Sequence, residues 1–294
     1  MQYIVMDMEW NNAFAKKRRA FMNEMIEIGA VKLDETLTEI DSFSMLVRTQ
    51  IGKRLRSWVK DLTSITADEL EDGGKTYQEV YEAFAAWVGE AEHILLTWGD
   101  GDIRVLIDNN LYYNAEAQLP FVQRYADLQT VVQRCLPPNG GNQIGLSAAA
   151  VQLGISPEEY ATHRALGDCR LGAECLRRVY VPGAPEELAR VCDADFYRRL
   201  SFKAYVLSNI KNPRVDKDEL YYRCKFCGAA DTERKSEWKY NNQYFRAEYY
   251  CPHCGKTVRA GVRFKMLFDR LDIRRVAAEL PPEEKEENES VSAE

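Results

Sequence analysis

The sequence predicts an α/β domain followed by a small β-rich module. Three apolar segments near the N-terminus, residues 3–10, 25–33 and 42–48, are predicted as successive strands, which indicates an antiparallel meander. Helical and strand patterns then alternate, as they do in α/β domains. Beyond residue 200, two Cys-x2-Cys-Gly motifs enclose an aromatic-rich stretch at 238–250, which is predicted to supply the strands of the small module.

The later elements follow from the spacing of apolar residues. Residues 76–89 carry Tyr77, Val80, Phe84 and Trp87 on one helical face. A short apolar strand is predicted at 93–98, followed by a helix over 102–111 and by further helices over 143–153 and 168–180. The helix-breaking sequence VPGAP at 181–185 marks a domain edge. Residues 186–207 again have a helical pattern.

These patterns predict four parts: a domain over residues 1–185, a helical connector over 186–210, the β-rich module over 211–280, and a tail over 281–294. The tail is polar and charged and lacks aromatic residues, so we expect it to be disordered. Residues 1–200 carry 21 Lys or Arg against 30 Asp or Glu, whereas residues 201–280 carry 17 against 10. A basic module between an acidic domain and an acidic tail indicates an anionic partner.

Composition excludes a membrane protein. The chain has no apolar run of the roughly 18 residues that a transmembrane helix needs, and charges interrupt the N-terminus before a signal peptide could form. We therefore expect a cytoplasmic protein that does not bind membranes. In a reducing compartment its eight cysteines are predicted as metal ligands or core residues rather than disulfides.

Two groups of carboxylates stand out in the first domain. Asp7 and Glu9 are two residues apart on a predicted strand, so both side chains project from the same face and repel each other unless a cation lies between them. A solvated strand face is the alternative interpretation. Asp100 and Asp102 lie where a strand gives way to a helix, a usual place for ligand-contacting side chains. Either aspartate could instead simply cap the helix.

A third group consists of His163 and Asp168. A five-residue offset on an α-helix turns the second side chain about 140° from the first. The two can converge only if His163 lies in the loop before the helix and Asp168 in its first turns. The chain has only three histidines, so this pairing is less expected by chance, although a structural histidine is the alternative.

Taken together and in this order, the three groups resemble the DEDDh family of 3'-5' exonucleases. The resemblance rests on DMEW at 7–10, IEIGAVKLD at 26–34, WGDGD at 98–102 and HRALGDCR at 163–170, and it covers about residues 1–185. It implies an RNase H-like mixed sheet flanked by helices, closest to the stand-alone RNA-trimming branch. Gly101 stands where the family usually has an aromatic residue, which leaves Asp100 and Asp102 open as the second-motif ligand. We prefer Asp102.

The resemblance also implies a mechanism. Asp7, Glu9, Asp102 and Asp168 would hold two Mg²⁺ or Mn²⁺ ions about 4 Å apart, with Asp7 bridging them. His163 would be the general base, because imidazole titrates near neutral pH. The products would be nucleoside 5'-monophosphates released from a 3' end. Three residues near the first motif are candidates for substrate binding: Met8, Trp10 and Phe14. Trp10 or Phe14 would stack on a base of the substrate. The alternative is that Trp10 is a core residue.

The two Cys-x2-Cys-Gly motifs predict one structural Zn²⁺ site, a zinc ribbon. Four thiolates at this spacing close a tetrahedral site, and the glycines allow the tight turns beneath the metal. The ligands would be Cys224, Cys227, Cys251 and Cys254. A redox Cys-x-x-Cys is the rival interpretation, which the matched second copy argues against. His253, inside the second motif, is expected to be exposed rather than a ligand.

The module is basic and rich in aromatic residues, a combination that suits binding of single-stranded nucleic acid. Lys235 and Lys239 are its candidate binding residues. Because the first domain is acidic and would repel such a substrate at long range, a basic anchor is physically useful. Docking to the exonuclease domain or to a protein partner, through the ribbon or the tail, is the alternative. Two rival functions remain: a non-catalytic nucleic-acid adaptor and a DNA proofreading or repair exonuclease. Loss of any one of the four site acids would have favoured the adaptor.

Overall fold

The computed structural model describes residues 1–52, 54–137, 142–161 and 163–281. It divides into two compact units, Met1–Ser201 and a second one from Phe202 onward. The acidic tail that the sequence predicts to be disordered lies, beyond residue 281, outside the described residues. Within the described part of the chain, no helix has the length and apolar character needed to cross a membrane.

The first unit is built on a six-stranded mixed sheet with the order β3-β2-β1-β4-β5-β6. Its strands are β1 (Gln2–Ala15), β2 (Ala20–Leu33), β3 (Glu39–Leu46), β4 (His93–Thr97), β5 (Arg124–Asp127) and β6 (Arg190–Val191). The first three pair antiparallel, as the predicted meander requires. Strand β4 lies parallel to β1 and to β5, and β6 closes the edge antiparallel to β5.

Helices cover both faces of this sheet. They are α1 (Ser57–Thr63), α2 (Ala67–Asp72), α3 (Tyr77–Val88), α4 (Gly101–Tyr113), α5 (Leu128–Gln133), α6 (Leu146–Gln152), α7 (Ala165–Val179), α8 (Ala184–Leu188) and α9 (Ala194–Ser201). Successive β1 residues point to opposite faces, so Ile4 and Met6 join one apolar cluster with α3 and α4, while Tyr3 and Val5 join another with α7. This arrangement confirms the predicted mixed sheet flanked by helices.

The predicted continuous helix over 186–207 is wrong. Helices α8 and α9 are separated by β6, in which Val191 pairs with Arg124 of β5. The backbone of Cys192 also donates a hydrogen bond to Gln123 O, at 3.0 Å. The exposed edge of β5 thus captures this segment, because unpaired strand hydrogen-bonding groups are satisfied there.

The second unit is an antiparallel sheet. Its strands are β7 (Tyr205–Val206), β8 (Glu233–Arg234), β9 (Lys239–Asn241), β10 (Tyr244–Cys251), β11 (Lys256–Met266) and β12 (Leu271–Glu279). The order is β12-β11-β10-β8, with β7 paired to β11 and β9 to β10. Alternate residues of β10 are buried, from Phe245 to Cys251, so one face of the sheet forms the small core. The predicted β-rich module is confirmed, and its strands extend well past the second cysteine motif.

Candidate active site and cysteine cluster

Asp7 and Glu9 project from the same face of β1, in the middle of the first sheet. Oxygen atoms of these two carboxylates and of Asp168 all lie within 4.8 Å of one another. Strand alternation explains the first pair, because residues two apart share a face. Asp168 comes from the first turns of α7, with His163 in the loop before it, as the sequence predicts. The structure thus brings two of the three sequence motifs to one point.

Gly29 explains how α7 reaches this point. It lies opposite Asp7 on β2, and a Cβ added to it would lie 2.4 Å from the backbone nitrogen of Leu166. Only a residue without a side chain therefore lets the start of α7 rest against the strand. The Cys169 thiol donates a hydrogen bond to Gly29 O at 3.2 Å and holds the same contact. Asp168 is placed beside Asp7 as a result.

Glu27 is a site residue that the sequence reasoning missed. It lies opposite Glu9 on β2 and is only 2% exposed. Its carboxylate accepts hydrogen bonds from the Arg164 guanidinium, the shortest at 2.7 Å, and from the Ala165 backbone N–H at 3.0 Å. This ion pair, of which only the Glu27 carboxylate is buried, fixes the first turn of α7 against the sheet. A signal was present, since Glu27 is the only charged residue in the apolar run of residues 25–31.

Asp102 rather than Asp100 faces the acid cluster. Asp102 lies in the first turn of α4, is 5% exposed, and accepts a hydrogen bond from the Met8 backbone N–H at 3.2 Å. Asp100 is half exposed and forms an ion pair with Arg104 at 2.7 Å. Asp102 does not belong to the trio of oxygens within 4.8 Å, yet its charge acts on Asp7 more strongly than that of any other acid.

The three candidate substrate-binding residues near the first motif differ in exposure. The Met8 side chain lies in the core and its backbone N–H donates a hydrogen bond to Asp102, so a contact between Met8 and substrate stays a prediction. Trp10 is partly buried against the same core cluster. Phe14 is 49% exposed and makes an edge-to-face pair with Phe21, their ring centroids 5.3 Å apart. Of the three, Phe14 is the most accessible to a ligand.

The acid cluster is electrostatically unfavourable by itself. Burial, together with the charges of Asp102, Asp168 and other acids nearby, holds the pKa of Asp7 well above its usual range. Burial and repulsion from neighbouring acids raise the pKa of Glu9 to about 8, and the nearby Arg164 cation partly opposes this rise. Burial likewise raises the pKa of Asp102, to about 7. Adjacent acids that resist ionisation in this way are a ready site for divalent cations.

His163 lies at the rim of the cluster rather than in it. Its backbone N–H donates a hydrogen bond to Asp168 Oδ2 at 2.9 Å, and the residue is exposed. Its φ of 64° is in the left-handed region, which few residues other than glycine adopt. The backbone is thus anchored next to the acids, while the imidazole faces solvent.

The four cysteines of the two Cys-x2-Cys-Gly motifs lie close together in the second unit. Cys224 Sγ lies 3.6 Å from Cys254 Sγ, and Cys227 Sγ lies 3.5 Å from Cys251 Sγ. Tetrahedral Zn–S bonds of about 2.3 Å place sulfurs about 3.8 Å apart, so the set fits zinc. Gly228 and Gly255, which close the two motifs, both have positive φ. His253 pairs with Asp231 at 2.7 Å on the surface and lies outside this set.

The two lysines predicted to contact nucleic acid differ in their surroundings. The Lys235 ammonium pairs with Glu233 at 2.6 Å and lies 5.4 Å from the centroid of the Tyr250 ring. Lys239 is exposed on β9, and among the described residues no carboxylate lies within ion-pair distance of it. The charge of Lys239 is therefore the more available of the two.

The family model for exonucleases, RNase T, matches residues 4–176. The nuclease domain of 3'hExo, a DEDDh family member bound to rAMP, has a TM-score of 0.51 and 22% identity over 60% of this chain and 90% of its own. A 3'-exonuclease that recognises the 3' end of a histone mRNA stem-loop scores 0.52, with 20% identity over 64% of each chain. Exonuclease I scores 0.51 at 15% identity, and this chain covers 42% of its length. No curated protein sequence matches the chain.

Proposed function

The chain belongs to the RNase T family of exonucleases, and we propose that this 3'-5' exonuclease hydrolyses single-stranded nucleic acid, RNA in preference to DNA, to nucleoside 5'-monophosphates. The observation that carries the proposal is the convergence of Asp7, Glu9 and Asp168 within 4.8 Å, with Asp102 alongside. RNA is favoured because two structures of similar fold hold an RNA nucleotide or recognise an mRNA 3' end.

Exonucleases of this family use divalent metal ions, and the residues present fit Mg²⁺ or Mn²⁺. Asp7, Glu9, Asp102 and Asp168 offer hard oxygen donors only, which these ions prefer and Zn²⁺ does not. Burial, and then repulsion between neighbouring acids, raises the pKa values of Asp7 and Glu9, so bound cations would favour their ionised forms. Bound there, two ions would neutralise the scissile phosphate and make a water molecule more acidic.

We assign the proton transfer to His163. Its imidazole would accept the proton of the water that attacks phosphorus, while the bond from phosphorus to the 3' oxygen breaks and that oxygen takes a proton from solvent. The hydrogen bond from the His163 backbone to Asp168 supports this role, because it anchors the histidine beside the acids. The exposed ring is free to turn toward a bound strand.

The test is digestion of 5'-labelled single-stranded RNA and DNA with Mg²⁺ or Mn²⁺, followed on a sequencing gel. We expect a ladder that shortens from the 3' end, faster on RNA, and a loss of at least a hundredfold in His163→Ala. His253→Ala is the matched control, since it removes an exposed histidine of the second unit. No metal-dependent shortening of either polymer would refute the exonuclease, and faster digestion of DNA would favour the repair alternative.

For the second unit we propose one structural Zn²⁺ held by the four cysteines, and a supporting role in nucleic-acid binding. The sulfur distances of 3.5 and 3.6 Å support the metal. The charge of Lys239, which has no carboxylate partner in the described part of the chain, supports the binding role, because counterion release drives such contacts. Lys235→Glu with Lys239→Glu should weaken binding and flatten its salt dependence. Unchanged affinity would instead favour docking to a protein.

A further inference from the structure

The first unit, although acidic overall, carries a separate basic surface that the proposed mechanism does not use. Residues 10–23, the far part of the β1–β2 hairpin, contain four Lys or Arg and no Asp or Glu. Residues 48–60, the loop after β3 and the start of α1, contain five and again no acid. We call the described residues of these two segments, which leave out residue 53, the hairpin–loop surface. Within each segment the basic side chains therefore follow one another without an intervening acid.

Buried polar groups fix this loop against the hairpin. The Glu24 carboxylate, 1% exposed, accepts hydrogen bonds from three successive backbone N–H groups, those of residues 50–52, at 2.5 to 2.8 Å. The fully buried Asn11 accepts from the Arg56 backbone N–H at 3.0 Å and donates to Arg54 O at 3.2 Å. Because Glu9 and Asn11 share a face of β1, the loop lies on the face of the acid cluster, beginning about 7 Å along the strand.

Apart from Arg18, which forms an ion pair with Asp108 at 2.5 Å, the cations of this surface have no carboxylate partner among the residues that the structure describes. Lys16, Arg19, Arg54 and Arg56 are exposed, and no carboxylate of the described residues lies within ion-pair distance of them. Exposed aromatic rings lie among them, since Phe21 is 61% exposed and the Arg56 guanidinium is 6.0 Å from its centroid. Unpaired cations interleaved with exposed aromatic rings suit a single-stranded polyanion, through phosphate attraction and base stacking.

The turn at the tip carries a second indication. Residues 16–19 connect the strands, and Arg19 adopts a φ of 51°, a left-handed conformation that glycine or asparagine adopts more readily. Arg19 is exposed, and within the described chain its side chain has no hydrogen-bond or ion-pair partner. Packing therefore gives no reason for arginine at this position, whereas binding of an anion does.

We propose that the hairpin–loop surface binds the single strand of nucleic acid upstream of the 3' end that enters the acid cluster. The inference rests on the proposed function and adds a binding path to it. From Glu9 on β1 to the tip of the hairpin at Lys16 is seven residues, or about 23 Å. Phosphates leaving the acid cluster would meet Arg54 and Arg56 first, and then Lys16 and Arg19.

The test measures binding separately from hydrolysis. A full-length Asp7→Asn protein binds a 5'-fluorescein 20-residue oligouridylate, followed by anisotropy at several salt concentrations. Adding Arg54→Glu with Arg56→Glu, or Lys16→Glu with Arg19→Glu, should weaken binding at least tenfold and reduce the slope of log K against log salt by about 1.4 for two lost phosphate contacts. The control pair, Arg134→Glu with Arg178→Glu, makes the same charge change at other exposed positions of the unit.

Unchanged affinity in both charge-reversal pairs, or an equal loss in the control pair, overturns the inference. Arg19→Gly separates loss of binding from misfolding, because it removes the cation while glycine adopts the positive φ at this position without strain. Binding should weaken while the thermal unfolding midpoint does not fall. With Asp7 intact, the charge-reversal pairs should slow hydrolysis of the 20-mer by a larger factor than hydrolysis of a dinucleotide. A protein that binds the 20-mer through this surface yet hydrolyses neither substrate would refute the proposed function, and only the binding of the strand by this surface would stand.

Discussion

Replacing Glu9 with glutamine should stabilise the protein when no divalent ion is bound to the acid cluster. Burial, with the charges of Asp168, Glu27 and Asp102, raises the pKa of Glu9 from 4.5 to about 8. Each unit corresponds to about 1.4 kcal/mol, so the whole shift sets an upper limit of about 5 kcal/mol on the free energy lost when the carboxyl ionises in the folded state. Because the acids share protons and the side chains relax, we expect about 2 kcal/mol.

The stability gained by replacing Glu9 with glutamine depends on pH. Between pH 4.5 and about 8 the folded protein holds a proton on Glu9 that the unfolded chain has released. Stability of the wild type therefore falls as pH rises through this window. Glutamine has no proton to lose, so the gain in the variant should be largest at pH 8 and shrink to a small fraction at pH 5.

The assay is urea unfolding followed by tryptophan fluorescence, at pH 5 and pH 8. Buffers are passed over a chelating resin rather than given EDTA, so that zinc stays on the cysteines. Exposed Glu35→Gln is the control. Added Mg²⁺ should stabilise the wild type more than the variant, since binding to the folded state alone shifts the equilibrium. A variant that is no more stable at pH 8, or whose gain does not change with pH, would refute the reasoning.

Two other predictions concern close packing and the cysteines. Gly29→Ala should destabilise the first unit by about 3 kcal/mol and lower the rate of hydrolysis more than tenfold, because its Cβ meets the Leu166 backbone and displaces α7. Urea unfolding and the gel assay check it, with Gly145→Ala, which has nothing within 4 Å, as the control. Cys251→Ser should abolish zinc binding and lower the unfolding midpoint of the second unit only, whereas exposed Cys135→Ser should change neither, as measured by metal analysis and calorimetry.

Local periodicity was enough to predict the acid pair and the two cysteine motifs. Asp7 and Glu9 share a face because they are two residues apart on a strand, and the spacing Cys-x2-Cys-Gly fixes each half of the thiol cluster. The contact that places Asp168 is different in kind. It depends on Gly29 and on the ion pair between Glu27 and Arg164, which are 137 residues apart. No local pattern identifies such a partner, although a single acid in an apolar strand indicates that one exists.

The extent of the hairpin could not be predicted for a related reason. The sequence predicts that the first strand ends near residue 10, because the following residues include asparagines and a run of four basic residues, which strands disfavour. The strand continues to Ala15 because the paired β2 and the loop held by Glu24 and Asn11 satisfy its backbone and buried polar groups. Tertiary hydrogen bonds here outweigh intrinsic propensity.

The same hairpin changes the interpretation of the net charge. Residues 1–200 carry nine more acids than bases, which predicts repulsion of nucleic acid and a need for the basic second unit as an anchor. At physiological salt, however, charges act over only about 8 Å, so a phosphate responds to the groups beside it rather than to the sum over a domain. Next along the hairpin from the acid cluster, the loop held by Asn11 carries Arg54 and Arg56, which among the described residues have no carboxylate partner. A substrate strand can therefore be held by the first unit itself, and the second unit would add affinity rather than supply it.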